Sequence, residues 1–296
     1  MQTIQYPHTY EQTLIDYLEK TKMVAIRATM KEKTSPDWGI FTSKLGGIPY
    51  FPKDISYPVN KEGIPLAFLA QINLSDIFDH PELQIIAEKD PYLKYFPKQG
   101  ILSFYYDIND DLMGLIYPRN YQPDWEKRGY RVLYFPEIIT DEADLSRESY
   151  DQLTTLLAQE KIENYGIMPI TDSYPLQFSA KETLLPLDIQ IFSDPIKTAL
   201  YDYIAAMEET GDIDEFYDEF YDLLAEHNCG HALSGYPFFA QHDPREEADQ
   251  QHILLLQIDS LDDLMIGDCG SMQFFISEEN LQQQNFNQTF YDWACG

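Results

Sequence analysis

The stretch KLGGIPYFP, Lys44–Pro52, returns as ALSGYPFFA, Ala232–Ala240, almost two hundred residues further along the chain. Each word sets a glycine (Gly47, Gly235) two residues before a proline (Pro49, Pro237) and follows it with two aromatic residues. Proline drives the residue before it into extended backbone, so neither word is helical. Pro49 and Pro237 lack an N–H and suit strand starts or edges. The expectation is a turn entering an edge strand, packed by Tyr50, Phe51, Phe238 and Phe239.

Working outward, PLAFLAQINLSDI (from Pro65) follows the first word and HILLLQIDSLDDL (from His252) the second. Gln71 and Gln257 align, each inside an apolar run. GILSFYYDINDDL from Gly100 is then answered by GSMQFFISEENL from Gly270. Pro49 to Gln71 is 22 residues and Pro237 to Gln257 is 20. From glutamine to glycine the intervals are 29 and 13, which places an insertion around residues 78–97 of the first copy. Three collinear matches predict an internal duplication, at a period far too long for a solenoid. Each copy supplies sheet that cannot bury its apolar face alone. The expected fold is α+β: a mainly antiparallel β unit, duplicated, packed as a pseudo-two-fold pair with flanking helices. One domain would span residues 1–296, with a first copy at 25–140, a connecting helical segment at 141–228 and a second copy at 229–296.

LAFLAQINL and HILLLQIDSL are dense apolar runs, the pattern of strands buried on both faces. GYRVLYFPEII, from Gly129, reads as another strand. Helices are expected at Tyr10–Thr21, from Asp141 onward, and twice within Ser193–Glu226. There Ile196, Leu200, Tyr203, Ile204 and Met207 form one stripe and Ile213, Phe216, Tyr217, Phe220, Tyr221 and Leu224 a second. The second helix would turn Asp212, Glu215, Asp218, Glu219, Asp222 and Glu226 to solvent.

Charge is the strongest compositional signal. Lys+Arg 20 against Asp+Glu 50 gives −30. Residues 198–296 hold 21 acids and one base, Arg245, so that third carries −20. Such a surface repels phosphate backbones, which argues against nucleic acid, and steers in a basic protein. Acidic surfaces also serve solubility alone. No apolar run is long enough to span a membrane, no export signal opens the chain, and the three cysteines fit reduced thiols in a cytoplasm.

These blocks, with LLLQID and GDCGSMQFFI, resemble the YwqG-like family of bacterial proteins, from about Thr42 to Phe286. The resemblance implies a cytoplasmic, duplicated α+β domain of unknown function and, by association with secreted toxins, immunity-like work. Where many relatives carry Trp-Gly-Asp, this chain has Ile266-Gly267-Asp268.

Several constellations are weighed against plainer readings. GDCGS, containing Asp268, Cys269 and Gly270, looks like the nucleophile turn of chymotrypsin-like cysteine proteases, which needs a histidine base. HNCGH sets His227, Cys229 and His231 at alternate positions, where zinc could bind, or where a helix simply ends. DINDD, from Asp107, fails as a calcium loop because Leu112 and Pro118 replace the required glycine and glutamate. Gln71 and Gln257 either cap the backbone of their own copy or line a shared groove. No dinucleotide, P-loop or esterase-elbow motif occurs, so no cofactor is expected. The leading expectation is an acidic binding or immunity-like protein for a basic partner. A cysteine- or metal-dependent hydrolase and a small-molecule or cation-binding module are the alternatives.

Overall fold

A strand whose residues are apolar on both sides needs cover on both sides, and the ten strands among the described residues find it in one curled antiparallel sheet. The computed structural model describes residues 4–116, 125–186, 204–205, 213–245, 252–261 and 263–296. The strands are β1 Met23–Met30, β2 Lys44–Gly46, β3 Ala67–Asn73, β4 Ile101–Tyr106, β5 Tyr130–Phe135, β6 Ser173–Thr183, β7 Ala232–Leu233, β8 His252–Asp259, β9 Ser271–Ser277 and β10 Phe290–Ala294. Their order across the sheet is β10-β9-β8-β7-β1-β6-β2-β3-β4-β5. The described helices are α1 Gln12–Thr21, α2 Ser75–Phe78, α3 Pro81–Lys89, α4 Glu148–Ala158, α5 Ile213–Asn228 and α6 Glu278–Gln282. The architecture is α+β.

Hydrogen bonding on the two sides of the central β1–β6 pair follows one pattern. Lys44 pairs with Gln71 between β2 and β3, and Ala232 with Gln257 between β7 and β8. β3 shifts register against β4 between Phe68 and Ala70, and β8 against β9 between Leu254 and Leu256. Just past these strands, Leu74 N–H donates to the Gly100 carbonyl (2.9 Å) and Ser260 N–H to that of Gly270 (3.1 Å). β1 ladders with β7 and β6 with β2, so each central strand also pairs with a short strand from the other part of the chain. The extra residues expected around 78–97 form α3 and a 3-10 turn at Leu93–Tyr95.

The sheet's twist brings its two ends together. Tyr130 Oη, on β5, donates to the Thr289 carbonyl beside β10 at 2.9 Å, and Arg128 reaches the same oxygen at 3.2 Å. Inside the curl lie Leu69, Phe104, Leu255 and Phe274, none with solvent exposure. Outside it, α1 and α5 cover a second cluster containing Leu18, Phe220, Leu254 and Phe275. Tyr50, Phe51, Phe68 and Tyr105 build a third. Each such side chain contributes about 1.5–3 kcal/mol by leaving water.

Three expectations need correction. The span 141–228, read as a helical connection, also holds β6, the eleven-residue strand at the sheet's centre. Its period of two is in the sequence: Leu176, Phe178 and Ala180 pack on the core while Gln177 and Ser179 face solvent. The helix expected from Asp141 begins at Glu148, because Asp141 caps a separate 3-10 turn by accepting from Ala143 N–H. The glycine–proline words do not enter edge strands; they leave β2 and β7, which lie inside the sheet. Of the first helix expected after Ser193, Ile196, Leu200, Tyr203 and Met207 lie outside the described residues, as does Asp212.

Candidate functional site

Gly47 and Gly235 take left-handed backbone at φ +70 and +74, each preceded by another left-handed residue, Gly46 or Ser234. A side chain at Gly47 would meet the Pro36 carbonyl, and one at Gly235 the Ala25 side chain. Glycine is required there by both conformation and space. The reversal sends Pro49 and Pro237 inward and leaves the next N–H groups, those of Tyr50 and Phe238, with no strand to pair with.

Glutamine supplies what the ladder does not. Gln71 Oε1 accepts from Tyr50 N–H (2.8 Å), while its Nε2 donates to the Ile40 and Thr42 carbonyls (2.9 and 2.8 Å). Gln257 Oε1 accepts from Phe238 N–H (2.9 Å), and its Nε2 donates to the Asn228 and Gly230 carbonyls (3.0 and 2.9 Å). Ile40, Thr42 and Tyr50 stand 188 residues before Asn228, Gly230 and Phe238. Both amides are fully enclosed and bond the backbone of their own side of the sheet. They are clasps; neither lines a groove.

A buried cation underlies each clasp, and neither was legible as such in the sequence. Lys44 Nζ donates to the Trp38 and Ile48 carbonyls (2.9 and 2.7 Å). Burial lowers its pKa to about 8. Arg27 Nη2, reaching across from β1, donates to the His227 carbonyl (2.7 Å). Their partners are carbonyls brought close only by the turn, which leaves no local signal.

HNCGH is where α5 ends. Asn228 terminates the helix and bonds both backbone groups of Leu184. His227 Nδ1 lies 3.3 Å from the Glu182 carbonyl. His231 Nδ1 accepts from Asp259 N–H (3.1 Å), and Asp259 accepts from Gly230 N–H (2.6 Å). Burial pushes the Cys229 thiol up to about 12, with the Asp259 charge adding to it. Burial likewise holds His231 down to about 4, helped by Arg27. The zinc expectation finds no support in this arrangement: the two Nδ1 atoms meet backbone groups instead. No group of three metal-binding side chains exists among the described residues.

Cys269 is exposed, at φ +56 in the turn that Gly270 N–H closes onto the Ile266 carbonyl. No histidine hydrogen-bonds it among the described residues. The Asp268 carbonyl accepts from Gly296 N–H, and a side chain at Gly270 would strike the Ala294 carbonyl at 2.1 Å. The turn's glycine serves a close backbone approach, and the protease-like likeness lacks its base.

Two surface features remain. Along α5, Asp214, Glu215, Asp218, Asp222 and Glu226 are exposed, beside Tyr217 and Tyr221 at 41% and 52% exposure. Glu219 is half-buried and accepts from Thr9 Oγ1 (2.7 Å). Tyr221 packs edge-on against Phe238 at 5.4 Å. Three residues past Phe238, a cleft of about 480 Å³ opens beside β10, lined by Leu115, Gln241, His242, Asp292, Trp293 and Cys295.

The profile of a family described as Domain of unknown function (DUF1963) matches residues 43–295. The chain belongs to that family. No curated protein matches it. The DUF1963 match contains both clasp glutamines, α5 and the cleft, and excludes α1 and β1. β1 is nonetheless integral to the sheet, since it pairs with β6 and β7 and delivers Arg27 to the second clasp. No helix among the described residues is long and apolar enough to cross a membrane.

Proposed function

We propose that this DUF1963 domain is a duplicated, YwqG-like bacterial binding protein of the cytoplasm, whose α5 flank docks a basic protein. The single observation that carries the docking reading is the outer face of α5. Glu215, Asp218, Asp222 and Glu226 recur at spacings of three and four, which stacks them along one side of the helix. Tyr217 and Tyr221 are exposed on the flank beside that row. No lysine or arginine interrupts Ile213–Asn228. Carboxylates beside aromatic faces suit lysine and arginine, which gain both charge pairing and contact with a π face.

Duplication is supported by the matched pairings, the matched register shifts, the two clasps and the shared interior of Leu69 and Leu255. A pseudo-two-fold axis would run between Phe104 and Phe274. In this reading the paired halves form a rigid base and α5 is the working surface.

The test is salt-dependent capture. At about 10 mM salt charges act over roughly 30 Å, and at 1 M over roughly 3 Å. Immobilised protein should retain purified basic proteins at low salt and release them at high salt. Reversing the face with Glu215→Lys, Asp218→Lys and Asp222→Lys should abolish retention without changing the melting temperature. Equal retention by the reversed variant would remove the reading.

A further inference from the structure

We propose that Cys269 and Cys295 are a redox pair, which a peroxide oxidises to a disulfide tying the turn before β9 to the end of β10. This reading is independent of the docking on α5. The β9–β10 ladder keeps a regular register as far as Ser271, which faces Ala294. One step further the same register would set Gly270 against Cys295. The chain departs from it there. Gly270 N–H turns back to the Ile266 carbonyl (2.8 Å), and the bond that follows runs from Gly296 N–H to the Asp268 carbonyl (2.9 Å). Gly270 is thus an extra residue on its side, as at a β-bulge. Only glycine fits, because a side chain there would strike the Ala294 carbonyl.

The extra residue brings the two cysteines face to face. A bond from Gly296 to Asp268 brackets the residue before the one and the residue after the other, Cys295 and Cys269. A bracketed pair of this kind is where antiparallel strands approach most closely, with α-carbons about 4.5 Å apart. Disulfides span about 4.4–6.8 Å between α-carbons. The Cys295 side chain leans towards the turn: a side chain built at Gly267 would meet its Cβ and Sγ, each at 2.7 Å.

Exposure assigns the roles. Cys269 is exposed and Cys295 half-buried, so the Cys269 sulfur meets the oxidant first. Its thiolate attacks one peroxide oxygen and the O–O bond breaks. The departing hydroxide takes up the proton that the thiol gave up and leaves as water, and Cys269 becomes a sulfenic acid. The Cys295 thiolate then attacks the Cys269 sulfur, forming the S–S bond and expelling the sulfenic oxygen as a second water. The two sulfurs together lose two electrons and the peroxide gains them. Cys229 stays outside this exchange: its thiol, at the end of α5, is pushed up to about 12 by burial, and the thiolate is the reacting form. Gln241 Nε2 holds the Cys295 carbonyl at 2.8 Å, and Cys295 lines the cleft beside β10. The bridge would therefore fix one wall of that cleft.

The folded chain is treated with a slight excess of hydrogen peroxide, free thiols are blocked with N-ethylmaleimide, and the unreduced digest is mapped by mass spectrometry. The expected product is a peptide pair joined through Cys269 and Cys295, two hydrogens lighter than its parts and separated by dithiothreitol. Dimedone, which traps sulfenic acids, serves as a competitor. The ratio of bridge to trapped Cys269 should be about tenfold higher, or more, in the folded chain than in urea, since the fold replaces a chance encounter with a fixed one. Cys229→Ser should form the bridge as readily as the native chain. If that variant fails to fold, the folded and urea-unfolded native chains decide alone. Recovery of Cys269 and Cys295 as maleimide adducts after peroxide would overturn the inference. So would a bridge to Cys229 or between two chains, or an equal ratio with and without urea.

Discussion

Phe104 and Phe274 meet inside the curled sheet with ring centroids 5.1 Å apart and planes at 62°. They hold the same place in β4 and β9: each lies opposite the strand on which the register shifts, paired with Ala70 or Leu256. The contact therefore joins two parts of the chain 170 residues apart through like positions.

Truncating either ring should cost about 3–5 kcal/mol, the usual loss for phenylalanine to alanine in a core. The double variant should show a coupling of about 0.5–1.5 kcal/mol, because an edge-to-face pair contributes beyond its buried area. Urea unfolding of Phe104→Ala, Phe274→Ala and both together measures this. A coupling of zero would mean that the two sides of the sheet fold onto separate cores.

Much of the frame was legible because it is written locally. Dense apolar runs marked β3 and β8, and the recurrence of Gly-x-Pro and of glutamine at nearly fixed spacing tied two distant segments together. What stayed hidden is what distance creates. Arg27 reads as an ordinary strand residue until β1 is laid beside β7. Asp259 is one acid among fifty until Gly230 donates to it. The cleft sets Gln241 beside Cys295, and no local pattern announces that. The edge-strand expectation for the proline words failed because a missing backbone donor can be accommodated inside a sheet when the next N–H finds a side-chain acceptor.

The clasps make a prediction about that acceptor. Gln71→Leu and Gln257→Leu keep the volume and leave buried backbone groups unpaired, at about 1–3 kcal/mol for each orphaned group. Both variants should melt markedly lower than the native chain, and by comparable amounts, since each loses one acceptor and two donations. Gln257→Glu should be nearly as harmful, because the carboxylate repels the Asn228 and Gly230 carbonyls. Thermal unfolding of the three variants decides the matter, and an unchanged melting temperature for Gln257→Leu would contradict the clasp.

His231 should make the fold acid-sensitive. Its Nδ1 accepts from Asp259 N–H, so the neutral ring carries its proton on Nε2. A second proton would face the Asp259 N–H, close to the Arg27 charge. Burial first, and Arg27 second, hold the pKa down to about 4, against about 6.5 in an unfolded chain. At pH 7 the ring is neutral in both states and exerts no pull. Below pH 6.5 the unfolded chain takes up a proton that the native fold refuses, so stability falls as pH drops, by about 3 kcal/mol once pH 4 is reached. Asp259 acts with the opposite sign, since burial raises its pKa, and the measurement must therefore be a difference. His231→Gln keeps an acceptor for Asp259 N–H and cannot titrate. Urea midpoints of the native chain and His231→Gln, followed from pH 7 to pH 4, should separate steadily, the native chain losing more. Parallel curves would show that His231 titrates alike in the folded and unfolded chain.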